Sequence, residues 1–158
     1  MRPWAFRVDR SLHFTAISHT TTATTLCIAA GFISDDDDDN LLRSAAYETI
    51  GELINAAPVD CRPCIDAFVP KFLERLQATF SPDFDKEQQN QLQTALCCTL
   101  ENSLNVLGAE YRPYINPTIQ LLFSIFQSKT NTVHEEALSL FGALIQRMLL
   151  CASLHACK

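Results

Sequence analysis

The chain has 158 residues, 47% hydrophobic and 19% charged, a length that permits one ordinary domain with a packed core. Residues 35–158 hold 17 acids against nine lysines and arginines, which disfavours nucleic acid as the main ligand and suits a basic protein or peptide partner. Seven cysteines, an odd number, read as free thiols in a reducing compartment, and no apolar run approaches the ~20 residues of a membrane-spanning helix.

Residues 1–34 are rich in Ser, Thr and His and carry Arg2, Arg7 and Arg10 against the single acid Asp9. Two readings stay open for them, a poorly ordered leader and a mitochondrial transit peptide. Asp35 to Asp39 form a pure acidic run ending at Asn40, expected to be a solvated linker whose last members cap the helix that follows. Residues 1–39 are thus expected to be leader and linker, ahead of a repeat segment over 40–150 and a tail over 151–158.

From Asn40 onward Leu, Ala, Gln and Glu dominate, and the pattern is helical. A first helix over about 40–57 should bury Leu42, Ala46, Ile50, Leu53 and Ile54, and Pro58 should stop it. A second follows Pro63, with Ile65, Val69, Phe72, Leu73, Leu76 and Phe80 on one face and a kink expected at Pro70. A third, about 87–107, presents Leu92, Leu96, Leu100, Leu104 and Leu107 before the stop at Gly108. A fourth, about 113–127, presents Ile115, Ile119, Leu122, Phe123 and Phe126. A fifth from near Thr132 presents Val133, Ala137, Leu140, Phe141, Leu144 and Met148.

These helices repeat. A shift of 50 residues lays Arg62-Pro63-Cys64-Ile65 on Arg112-Pro113-Tyr114-Ile115, and Leu42, Ala46, Ile50 and Ile54 on Leu92, Leu96, Leu100 and Leu104. A shift of 91 lays Ala46, Gly51, Leu53 and Ile54 on Ala137, Gly142, Leu144 and Ile145. Spacings near the ~40–47 residues of HEAT and armadillo units predict an all-α solenoid of antiparallel helix pairs: two complete pairs and one further first helix. That last helix has no partner after it, so the chain is expected to be a piece of a longer array.

Three segments in order resemble the importin-β (karyopherin-β) family. Asn40-Leu41-Leu42-Arg43-Ser44-Ala45-Ala46-Tyr47-Glu48 is similar to its "N-L-R-x-x-A-Y-E" helix start, and Gln91-Leu92-Gln93-Thr94-Ala95-Leu96-Cys97 to its "L-Q-x-x-L-C" helix. Thr132-Val133-His134-Glu135-Glu136-Ala137 is similar to "V-x-E-(D/E)-A". The resemblance covers roughly residues 40–145 and stops where Gln146-Arg147-Met148-Leu149-Leu150 replaces the family's "G-x-E-F-x-K-Y" stretch. It implies a nuclear import receptor fragment moving between cytoplasm and nucleus. Importin-α or basic cargo would lie on the concave face of second helices, and phenylalanine-glycine nucleoporins between first helices on the convex face. Ran binds mainly near the family's N-terminus, so strong Ran binding is not carried over.

Asp66 and Glu74, on the second helix and off its apolar stripe, are the candidate contacts to basic partners. The other candidate chemistry reads as structural. Cys61-x-x-Cys64 has the spacing of a metal or redox pair, but the 50-residue shift places Tyr111 and Tyr114 in the same slots, which points to packing. Cys97 and Cys98 diverge by ~100° on one helix and cannot readily share a metal. Cys151, His155 and Cys157 lack a fourth ligand, and His134-Glu135-Glu136 fails the zinc-protease pattern because Leu138 stands at the second histidine. Neither an enzyme nor a cofactor is expected. The alternative function is a HEAT scaffold subunit of a phosphatase, vesicle coat or other complex.

Overall fold

The computed structural model describes residues 40–82, 85–127 and 133–156, so the leader, the Asp35–Asp39 run and Cys157 lie outside the described residues. Helices α1 (Asn40–Asn55), α2 (Arg62–Ala78), α3 (Lys86–Leu107), α4 (Ile115–Gln127) and α5 (His134–Ala156) carry the fold. Short 3-10 segments, Val59–Cys61 and Gly108–Tyr114, lead into α2 and α4. No strand occurs among the described residues.

Local chemistry sets most of the boundaries. Pro58, extended at φ −64° and ψ 157°, separates α1 from the turn that follows it. Pro63 sits in the first turn of α2, where its missing N–H costs nothing. Gly108 caps α3 at φ 60°, a backbone region that side chains with a Cβ rarely adopt. Helix α2 runs as one element through Pro70, which is exposed. Glu135 and Glu136 occupy the first turn of α5, where negative charge favours the helix dipole.

The direction of the helices follows from cross-links between them. Thr99 Oγ1 donates to the Tyr47 carbonyl oxygen (2.9 Å), and three residues further along α3 the Asn102 side-chain amide donates to the Gly51 carbonyl (3.1 Å). Both helices advance together, so α1 and α3 are parallel. The Ser139 hydroxyl bonds to the Glu101 carboxylate (3.1 Å) and Arg147 donates to the Asn105 carbonyl (3.3 Å), which makes α3 and α5 parallel as well. The Tyr114 hydroxyl reaches the Asp66 carbonyl at 3.4 Å, joining the starts of α4 and α2. An up-down bundle would set neighbours antiparallel. Here first helices α1, α3 and α5 form one parallel layer, and α2 and α4 form a second against it. This is an α-solenoid.

Helix α3 lies at the centre of the first layer and is buried on two sides. Leu92, Leu96, Leu100, Leu104 and Leu107 are all in the core, as the leucine spacing predicts. Buried Gln93, Thr99 and Ser103 accompany them with their polar atoms satisfied: Gln93 donates to Thr79 Oγ1 (2.9 Å) and Ser103 to the Thr99 carbonyl (2.8 Å). The end helices depart from the expected stripes. Leu42, Phe123 and Met148 were expected in the core and are exposed, whereas Tyr47 and Ile125 are buried. Tyr47 packs edge-on against Phe72, with ring centroids 6.1 Å apart. The reason is positional. A helical period identifies an apolar stripe, but a helix at the end of a stack has a neighbour on one side only.

Candidate partner-binding faces

Asp66 and Glu74 both belong to α2, in the second-helix layer. Asp66 is half-buried at the joint with α4, where the Tyr114 hydroxyl bonds to its backbone carbonyl. Desolvation first, then Asp66 itself, raises the Tyr114 phenol above its ordinary value. Glu74 is exposed two turns further on, about 12 Å along the axis and ~80° around it. Lys71 stands between them with its Nζ 5.7 Å from the Phe68 ring centroid, so the α2 surface is mixed in sign. The sequence Ile115–Gln127 gives α4 no charged side chain at all.

Two further acids were not singled out from the sequence. Asp60 and Glu110 are both exposed in the 3-10 segments before α2 and α4, and they differ by the same 50 residues as the rest of the repeat. The register was the signal that could have found them. One acid per unit then faces the approach to each second helix.

In the first-helix layer, a groove of about 520 Å³ opens between α1 and α3 and is lined by residues including Ser44, Glu48, Glu87, Asn90 and Thr94. Grooves between first helices were expected to be apolar. This one carries mainly polar tips, because it is formed by the first turns, where capping and dipole effects favour acids and amides.

The cysteine readings resolve through burial. Cys61 and Tyr111 are both buried, and Cys64 and Tyr114 are both half-buried, so the 50-residue shift holds in three dimensions as well. Burial, then the charge of Asp60, raises the Cys61 thiol, which works against the thiolate that a metal requires. Burial pushes Cys97 up to about 12, while Cys98 is exposed and only raised. Among the described residues no group of His, Cys, Asp and Glu could hold a metal ion. The side chains of Cys151 and His155 lie outside the described residues. Native alkylation at mildly alkaline pH, mapped by peptide mass, should modify Cys98 at least about tenfold faster than Cys97, because a buried thiol must first open to solvent. Equal rates would contradict the central packing of α3. No described helix is long and apolar enough to cross a membrane.

Comparison with known proteins places this architecture. The family of importin subunit beta-1-like, TPR repeats matches residues 16–149, so its match takes in part of the segment ahead of α1. Importin subunit beta-1 of Arabidopsis thaliana is 30% identical over 112 residues, covering 65% of this chain and 13% of the relative. Importin subunit beta-1 of Schizosaccharomyces pombe is 26% identical over 117 residues, covering 69% of this chain and 14% of the relative. The chain therefore spans about a seventh of the length of these relatives. No solved structure matches it. Parallel first helices, a 50-residue register that survives in space and a match across most of the sequence agree: the chain belongs to the importin subunit beta-1-like family of helical-repeat proteins.

Proposed function

We propose that this chain is a protein-binding segment of a nuclear import receptor, acting between cytoplasm and nucleus by contact rather than catalysis. The observation that supports this most is membership of the importin subunit beta-1-like family, combined with two helix layers that offer opposite faces. Basic cargo, or a basic importin-α segment, lies along the second-helix layer, with Asp66 and Glu74 as its contacts and Asp60 and Glu110 at the approach. Phenylalanine-glycine nucleoporins contact the first-helix layer, where a ring enters the α1/α3 groove against the aliphatic stems of its polar side chains.

Each contact is weak on two helix pairs, because solenoid binders reach high affinity by summing many small sites. The acidic contact also fades with salt, since exposed charges are screened over ~10 Å at about 0.1 M. A basic importin-α-type peptide titrated at low and high salt should lose affinity with salt, and Asp66→Asn with Glu74→Gln should reduce low-salt affinity severalfold. Binding indifferent to both changes removes Asp66 and Glu74 from the contact.

A further inference from the structure

The two ends of the first-helix layer present complementary faces. Between α1 and α3 the joint is made by Tyr47, Gly51 and Ile54 on one side and Ala95, Thr99 and Asn102 on the other. Gly51 is the point of closest approach: a Cβ there would lie 3.2 Å from Thr99 Oγ1 and 3.6 Å from Thr99 Cα.

A shift of 91 residues carries Tyr47, Gly51 and Ile54 to Leu138, Gly142 and Ile145 of α5. Tyr47 and Ile54 are 3% and 0% exposed, whereas Leu138 and Ile145 are 58% and 42% exposed. A Cβ at Gly142 would meet nothing within 4 Å. The outer side of α5 is thus the same joint surface, without its counterpart.

A shift of 50 residues carries Ala95, Thr99 and Asn102 back to Ala45, Thr49 and Glu52 of α1, all three exposed. Thr49 Oγ1 donates to the Ala45 carbonyl at 2.8 Å, the same bond and length that Thr99 makes to Ala95. Its rotamer already matches the one used at the internal joint. The outer side of α1 is therefore the counterpart that α5 lacks.

We propose that this chain associates head to tail with further copies of itself. The Leu138/Gly142/Ile145 face of α5 in one copy docks on the Ala45/Thr49/Glu52 face of α1 in the next, repeating the α1–α3 joint between molecules. Such a contact is heterologous, so it adds copies without a two-fold axis. It is driven by burial of Leu138 and Ile145 and by the close backbone approach that Gly142 allows. One element is missing: Glu52 stands where Asn102 donates a hydrogen bond, and a carboxylate cannot donate. The joint between copies is accordingly weaker than the one within the chain.

Sedimentation velocity over a concentration series of the full chain tests this. The unaltered chain should grow beyond a dimer as concentration rises, and G142R and T49R should each remain monomeric while keeping native helicity and thermal transition. Mixed one to one, the two variants should form a dimer that grows no further, because each retains one intact and complementary face. Glu52→Asn should strengthen association about fivefold by restoring the donor. A monomeric unaltered chain, a variant that assembles like the unaltered chain, or a mixture that stays monomeric would each overturn the proposal. So would a Glu52→Asn chain that associates no more tightly than the unaltered one.

Discussion

Leu100→Ala should destabilise the chain by about 2–5 kcal/mol, the range observed when a buried leucine is cut to its Cβ and the cavity relaxes only partly. Leu100 is fully buried in α3, the helix that packs against both α1 and α5, so neither neighbour can collapse into the void without disturbing a second joint. Leu42 lies at the register-equivalent of Leu92 and was expected in the core, yet it is 57% exposed. Leu42→Ala should therefore change stability by no more than about 0.5 kcal/mol. Urea unfolding of the two variants, at protein concentrations where the unaltered chain is monomeric, makes the comparison. Equal costs would mean that α3 is not the centre of the layer.

The second large effect is expected at Gly51. Leucine there places a Cβ and a branched side chain against Thr99, whose hydroxyl is held between the Tyr47 and Ala95 carbonyls and cannot easily give way. Overpacking of that kind costs about 1–3 kcal/mol, and separation of the helices would also break the Asn102–Gly51 bond. Gly142 occupies the same place in the repeat but meets open space. Gly142→Ala should instead stabilise by about 0.5–1 kcal/mol through helix propensity alone. Opposite signs at two register-equivalent glycines, read from unfolding midpoints, would show that position in the stack and not residue type decides the outcome. Two destabilisations of similar size would contradict the open face on α5.

Much of this architecture was legible in the residues. The leucines of Leu92–Leu107, the stop at Gly108, the prolines before α2 and the 50-residue offset each express a local rule: helical period, glycine's left-handed freedom, proline's missing donor. These act within a few residues of chain, so a linear reading captures them. The same offset explained Cys61 and Cys64 as packing positions before any coordinates were considered, because a metal pair would not be replaced by Tyr111 and Tyr114. Asp66 and Glu74 could be placed on α2 by period, but not the half-burial of Asp66 at the α4 joint or the cation beside them at Lys71.

What the sequence by itself determined was the set of helices, their pairing into repeats and the family resemblance, since each rests on spacing along one strand of chain. Only the tertiary structure decided which apolar residues are covered. Leu42, Phe123 and Met148 satisfy the same periodic rule as Ile50, Leu122 and Leu144, and the difference in their burial is a difference in neighbours. The hydrophobic effect acts on surface removed from water, and that quantity belongs to pairs of helices rather than to any one of them. The parallel sense of α1, α3 and α5 likewise came from bonds between residues 38 to 52 positions apart, which no local period encodes.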